Sequence, residues 1–244
     1  SDVYKRQLLF NAVDIIVVGR FTGSQALAAV GSTTALINIF TNLFIGISLG
    51  ANVLAARFYA SGKEKEMSET VHTSITLALI SGLVMALAGV LLARFALNLM
   101  GTPNDVIDQS VLYMRIYFLG MPFFMLYNYG AAILRAVGDT KRPLFFLVIS
   151  GMTNAVLNLV LVIVFHMGVA GVAIGTIVSQ LISSILVLRC LYTSNTSYRL
   201  YFSKLGIKTQ YLKQIFQVGI PAGIQSTVIN PVSYTHLTLP TNSR

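Results

Sequence analysis

The sequence LFFLVISGMTNAVLNLVLVIVF, residues 144–165, decides the fold of this chain. It has no charged residue and no proline, and it is as long as the roughly 20 apolar residues that a helix needs to cross a bilayer. Asn154 and Asn158 lie in its middle, at a spacing that places both amides on one helical face, one turn apart. Polar groups at mid-depth in a membrane need a partner or a function. The stretch therefore predicts a membrane helix with two amides to be explained.

The composition supports an integral membrane protein. The 244 residues are 55% hydrophobic and 10% charged, whereas soluble domains carry about 25% charged residues. The apolar segments are long and uncharged and do not alternate with polar residues, which favours helices over a β-barrel. A single cysteine, Cys190, excludes an intrachain disulfide. We expect an all-α protein whose main partner is the lipid bilayer.

Both ends of the chain are predicted to be foreign. DVYKRQ (2–7) and VSYTHLTLPT (232–241) correspond to translations of the two strands of a transposon-end adapter used in sequencing libraries. We therefore expect residues 1–7 and 232–244 to be adapter-derived, and the native part, about 8–231, to be cut at both ends. Such segments are excluded from fold reasoning; a natural polar tail is the alternative.

The native part is predicted to contain seven helical spans, the first shortened and the last incomplete. Pro122 should kink the fourth span, because proline removes a backbone hydrogen bond. Gly46 and Gly50 form a GxxxG pair, and small residues recur every four positions along the sixth span, so both helices should pack closely against neighbours. The spans are 8–19, 32–56, 73–97, 111–134, 144–165, 169–191 and 212–231, and the small-residue stripe is Gly171, Gly175, Ser179 and Ser183.

Basic residues predict the orientation in the plasma (inner) membrane. Eleven of the 17 lysines and arginines lie in or beside the connections 57–72, 135–143 and 192–211. By the positive-inside rule these connections are cytoplasmic. The opposite side holds only Arg20, Arg94 and Arg115 among the native residues. The positive charge is thus explained by topology, and no basic–aromatic pattern suited to nucleic acid is present.

Four polar residues in the spans could bind a cation. Asp14 is the only acidic residue within a span, and a carboxylate at mid-bilayer costs roughly 2.5–3.5 kcal/mol on insertion scales unless it is protonated, paired or bound to a cation. The amide oxygens of Asn154 and Asn158 are hard ligands suited to ions such as Na⁺. The alternatives are an interfacial position for Asp14 and interhelical hydrogen bonding for the two amides. Thr176 and Gln180 lie four apart on the sixth span.

A second set of residues forms an apolar and aromatic face that could contact a flat organic cation, although core packing also explains such a face. Its members are Tyr117, Met121, Met125 and Tyr129. No Ser-His-Asp grouping, CxxC, HExxH or Walker loop is present, so nothing supports catalysis, and we expect neither an enzyme nor a cofactor other than a bound cation.

Several motifs together resemble the N-terminal lobe of the multidrug and toxic compound extrusion (MATE) transporter family. They extend over nearly all of residues 8–231. The motifs are VDIIVVGR (13–20) followed by ALAAV (26–30), the Gly46–Gly50 pair, GDTKRP (138–143), the Asn154–Asn158 pair, GVAG (168–171) with Thr176, and GIP (219–221).

The resemblance implies a fold of two six-helix bundles that work by alternating access. Residues 8–191 would be the first bundle, 192–211 the linker and 212–231 the start of helix seven, so the C-terminal lobe would be a missing partner. It implies export of organic, often cationic, compounds in exchange for Na⁺ or H⁺. Asp14 would be the acid of the coupling-ion site, with ligands Asn154, Asn158 and Thr176. Two amides favour Na⁺, because amides cannot take up the proton.

Two other functions stay open from the sequence. A flippase for lipid-linked oligosaccharides, from the same superfamily, would need a cation-lined central cavity. An intramembrane enzyme would need a second acid, a histidine or a nucleophile at mid-depth, and the sequence offers none; a structural subunit is the remaining possibility.

Overall fold

The described part of the chain is helical throughout, with short connections and no strand. The computed structural model describes residues 12, 13, 15–17, 19–21 and 23–238, with side chains to residue 228. Residues 12, 13, 15–17 and 19–21 are helical. The helices that follow are α1 (Ser24–Ala60), α2 (Glu64–Leu99), α3 (Ile107–Leu119), α4 (Met121–Ala136), α5 (Lys141–Leu159, continued by the π-helical turn Val160–Val164), α6 (Val169–Thr193) and α7 (Thr209–Thr238), with a 3₁₀ turn at Phe202–Lys204.

Four of these helices are long and apolar enough to cross a membrane: α1, α2, α5 with its π-helical turn, and α6. A fifth span is formed if α3 and α4 are counted together, since they meet at a bend of 45°. Gly120 lies at this bend and Pro122 in the first turn of α4, so the predicted kink is confirmed. The seventh predicted span lies within α7, which is not among the four, and much of the first lies outside the described residues.

The prediction that residues 57–72 form a polar loop is wrong. They are mostly helical, and only residues 61–63 separate α1 from α2. Gly62 turns the chain with a φ of 68°, a conformation that glycine adopts without steric cost. Glu64 and Glu66 lie in the first turn of α2, where negative charge complements the helix dipole. The polar residues therefore extend two long helices beyond the apolar layer.

Glycines bring α1 and α7 into direct backbone contact. A Cβ atom added to Gly46 would overlap the backbone of Gly223, and one added to Gly50 would overlap the carbonyl of Ile215. From the other side, a Cβ on Gly219 would lie 2.6 Å from the carbonyl oxygen of Ile47. The close packing predicted from the Gly46–Gly50 pair is confirmed, and α7 is its partner.

Two of the three basic connections, 57–72 and 192–211, meet at one end of the bundle. The rings of Tyr59 and Tyr198 lie 6.1 Å apart, and the backbone N–H of Tyr201 donates to His72 Nε2 at 3.0 Å. The Arg94–Asp108 ion pair links α2 to α3 at the opposite end, with a distance of 2.5 Å. This arrangement agrees with spans that alternate in direction; the side that faces the cytoplasm stays a prediction.

The predicted domain boundaries also stay predictions. Helix α7 continues to Thr238, beyond the boundary expected at residue 231. The other predicted adapter segment, 1–7, lies outside the described residues.

Candidate cation site

The two amides are positioned by a tight helical hairpin. Helix α5 ends in the π-helical turn Val160–Val164, and α6 starts at Val169. His166 and Gly168 both have positive φ, 52° and 61°, which reverses the chain within a few residues. The hairpin lays α6 along α5. π-helical turns are frequently found at functional sites, and this one follows Asn158 directly.

Both amide oxygens face one glycine of α6. Asn154 and Asn158 are completely buried. A Cβ atom added to Gly175 would lie 3.5 Å from Asn154 Oδ1 and would overlap Asn158 Oδ1. The structure therefore brings the two asparagines together beside the backbone of α6. Only glycine leaves room for the Asn158 amide at this position.

Asn154 buries its amide without satisfying it. Neither Nδ2 nor Oδ1 has a hydrogen-bond partner among the described residues, and an unsatisfied buried group costs about 1–3 kcal/mol. One turn earlier on α5, Ser150 is equally buried, but its Oγ donates to the carbonyl of Ser179 at 2.7 Å. The packing of α5 against α6 thus supplies a partner for Ser150 but, among the described residues, none for the Asn154 amide.

Thr176 and Gln180 differ in their surroundings. Thr176 is buried next to Gly175, and its Oγ1 donates to the carbonyl of Val172 at 3.1 Å. Gln180 is half-buried and directs Oε1 towards Gly120, where an added Cβ would lie 2.9 Å away. Gln180 therefore contacts the bend between α3 and α4.

Asp14 lies outside the described residues, and its predicted role stays a prediction. Val13 packs against the hydrophobic core of the bundle, and Val17 is part of that core. Within the described ranges, no three His, Cys, Asp or Glu side chains are grouped as metal ligands. The described donors near Gly175 are amide and hydroxyl oxygens, a chemistry suited to hard cations.

The four residues predicted as a possible substrate-facing set lie inside the bundle. All are buried, with exposures of 5% or less, and all belong to the main hydrophobic core; they are Tyr117, Met121, Met125 and Tyr129. Their positions are those expected from core packing. The Tyr129 hydroxyl is buried with no hydrogen-bond partner in the described part of the chain. A substrate contact for this set remains a prediction.

Sequence reasoning did not identify two residues that the structure makes important. Gly175 was counted as a packing residue of the small-residue stripe, and the spacing of that stripe was the available signal for its contact with the amides. His72 is the last residue of the predicted connection 57–72, and no role was assigned to it. It is buried, and it accepts a hydrogen bond from the connection between α6 and α7.

Comparisons with known proteins agree with this architecture. A family model described as MatE matches residues 6–160. The chain is 33% identical over 227 residues to "Probable multidrug resistance protein YoeA" of Bacillus subtilis (strain 168), covering 89% of this chain and 49% of the relative. The chain thus spans about half the length of the curated relatives it matches.

Two solved structures share the fold. One is described as the inward-facing conformation of a multidrug resistance MATE family transporter of the MOP superfamily, with 24% identity, a TM-score of 0.84, and coverage of 91% of this chain and 50% of that one. The other is described as the outward-facing conformation of such a transporter, with 23% identity, a TM-score of 0.86, and coverage of 95% and 51%. The described helices resemble half of either conformation about equally well.

Proposed function

This chain belongs to the MatE family, and from that premise we propose that it forms one half of a secondary active antiporter. It is a multi-pass protein of the plasma membrane. The whole transporter would export organic, often cationic, compounds in exchange for Na⁺ or H⁺ by alternating access. Relatives similar to this chain are named as multidrug resistance and export proteins. They are about twice as long as the matched region, which leaves room for a second, C-terminal half as the partner.

The Asn154 amide carries the proposal. Natural proteins satisfy the great majority of their buried polar groups, so an exception calls for an explanation such as a ligand or ion. Asn154 is fully buried and lacks a hydrogen-bond partner among the described residues. Its amide oxygen and that of Asn158 both face Gly175. A cation held by these amide oxygens, with Asp14 and Thr176, would give Asn154 Oδ1 a partner. Na⁺ fits this donor set better than H⁺, because a proton would bind only the Asp14 carboxylate and would leave the amide oxygens unused.

Coupling would act through Asp14 and the packing of its predicted span, 8–19, against α5. Ion binding or protonation at Asp14 would change how these helices pack and so change the affinity of the lobe for its substrate. Such coupling is reciprocal, so substrate binding would weaken ion binding by the same factor. The equal likeness of this half to inward-facing and outward-facing structures supports a lobe that moves largely as a unit during alternating access.

The decisive experiment replaces Asn154 by leucine in the intact parent protein. If the amide serves an ion, Asn154→Leu should abolish ion-driven export and leave thermal stability unchanged or higher, because an unsatisfied polar group is replaced by an apolar one of similar shape. If the amide serves only to hydrogen-bond neighbouring helices, the same change should lower stability and leave the ion dependence of export intact.

Matched variants make this test specific. Ser150→Ala removes a satisfied hydrogen bond one turn away, so it should lower stability by about 1 kcal/mol and leave coupling intact. Asp14→Asn should abolish ion-driven export at normal expression. Export by Asp14→Asn with an unchanged gradient dependence would show that the ion site has been assigned to the wrong residues.

The flippase alternative gains no support from the described residues. Arg94 pairs with Asp108, and Arg115 Nε donates to the carbonyl of Val90 at 3.0 Å. Both arginines are exposed, and each is engaged by a neighbouring helix or connection. Neither is positioned as an unpaired cation in a central cavity, which binding of a lipid-linked oligosaccharide would require.

A further inference from the structure

The connection between α6 and α7, together with the helix residues that flank it, forms an ordered segment, 192–211, that we call the strap. The backbone N–H groups of Tyr201 and Lys208 donate to His72 Nε2 at 3.0 Å and to Thr73 Oγ1 at 3.2 Å, both on α2. Leu200 is completely buried against the bundle. The strap is therefore fixed across the basic end of the bundle, which gives its outer face a defined geometry.

The outer face of the strap is aromatic and apolar. Tyr192 and Phe202 stack with ring centroids 5.5 Å apart. Large side chains that belong in an interior are exposed along it: Tyr192 (46%), Tyr201 (37%), Phe202 (55%) and Ile207 (38%). Amphipathic aromatic rings concentrate at the headgroup level of membranes, where one end is apolar and the other wet. The strap leaves directly from α6, a helix that is long and apolar enough to cross the bilayer.

The same face carries positive charge. Arg199 Cζ lies 5.0 Å and Lys204 Nζ 4.5 Å from the ring centroid of Tyr201, so one ring holds two cations near each other. Arg199 also lies 5.8 Å from the ring centroid of Tyr192. Stacking on the rings orders the cations without neutralising them.

No acidic side chain of the strap balances this charge. Residues 192–211 contain no aspartate or glutamate. The ion pairs found in the described part of the chain, Arg94–Asp108 and Arg142–Asp139, do not involve the strap. Glu66 and Glu69 of α2 interact with Tyr211, at the far end of the strap from Arg199.

We propose that the strap binds anionic phospholipid headgroups of the leaflet at the basic end of the bundle. Arg199 and Lys204 would bind the lipid phosphate, while Tyr192 and Phe202 would insert at headgroup level. The partner is a lipid because cations and exposed aromatic rings occupy one face, a combination that matches an anionic membrane interface. The site is separate from the candidate cation site, so either can fail alone.

The test uses the absence of tryptophan from the chain. Phe202→Trp in the intact parent gives a reporter on the strap, provided that any tryptophan in the remainder of the parent is first replaced. The protein is reconstituted in phosphatidylcholine vesicles with a minority of phosphatidylglycerol, and bromine is placed on one lipid or the other. Brominated phosphatidylglycerol should quench the reporter more than brominated phosphatidylcholine at equal mole fraction. Equal quenching by the two lipids, or no quenching by either, would overturn the proposal.

Charge variants identify the residues responsible. Each basic residue near an anionic surface contributes about 1 kcal/mol, so Lys204→Gln and Arg199→Gln should each reduce the preference for phosphatidylglycerol about fivefold. Lys204→Arg should retain it. Lys63→Gln, an exposed basic residue outside the strap at the same end of the bundle, should leave it unchanged. An equal loss with Lys63→Gln, or competition by inorganic phosphate beyond chloride of the same ionic strength, would point to non-specific charge or a soluble anion and refute the lipid site.

Discussion

Gly175→Ala is the substitution whose effect follows most directly from the geometry. The added methyl group would overlap Asn158 Oδ1 and stand 3.5 Å from Asn154 Oδ1. The Asn158 amide must therefore move, because α5 and α6 are held together along their length by contacts such as Ser150 Oγ to the Ser179 carbonyl. Asn154 keeps an ordinary contact distance.

The expected magnitude is the loss of one amide ligand to a charge. Polar contacts to charged groups contribute about 1.5–3 kcal/mol, which corresponds to about 10- to 150-fold in affinity. The assay is the coupling-ion concentration that gives half-maximal drug export by the intact parent in proteoliposomes. For Gly175→Ala this concentration should rise by that factor, while the amount of folded protein changes little.

Gly171→Ala is the matched control, one turn away on the same helical stripe. Its added methyl group would lie 3.1 Å from the Cβ atoms of Leu161 and Met167 and would meet neither amide. It should require a small adjustment of Leu161 and Met167 and leave the ion dependence as it was. An unchanged ion dependence in Gly175→Ala, or an equal change in Gly171→Ala, would refute the placement of the ion beside Asn158.

Two further predictions concern the bundle itself. Gly46→Leu should lower the melting temperature, or prevent folding, because the new side chain would overlap the backbone of Gly223. Gly31→Leu should be tolerated, because nothing lies within 4 Å of a Cβ atom added there. Equal effects of the two changes on thermal unfolding in detergent would contradict the α1–α7 packing. His72→Leu should leave the Tyr201 N–H without its acceptor and speed its hydrogen exchange about 5- to 150-fold, since losing a buried partner costs about 1–3 kcal/mol. Exchange at the original rate would show that the strap is held elsewhere.

Features of the fold could be predicted from the sequence where they depend on residues within a single helix. The uncharged stretch 144–165 and the kink near Pro122 are of this kind, because length, polarity and a missing backbone donor are local properties. The connection 57–72 was mispredicted, since polar residues at a membrane surface extend a helix as readily as they form a loop. Charge marks the edge of the apolar layer and does not mark the end of a helix.

The candidate site could be predicted only in part. The spacing of Asn154 and Asn158 placed both on one face, but the residue opposite them depends on the register between two helices. Gly175 is one of four small residues in the stripe on α6, and nothing in the sequence distinguished it from the other three. Tyr129 shows the same limit: a helical face at a spacing of four cannot tell a substrate surface from the bundle interior.

The antiport proposal is tested most directly by drug-driven ion movement. In proteoliposomes of the intact parent, with the membrane potential clamped, an imposed gradient of an organic cation should drive Na⁺ or H⁺ uphill in the opposite direction. Asn154→Leu should stop this movement while the protein remains folded. Ion movement that ignores the drug gradient, or that persists unchanged in Asn154→Leu, would contradict the proposed exchange at the Asn154–Asn158 site.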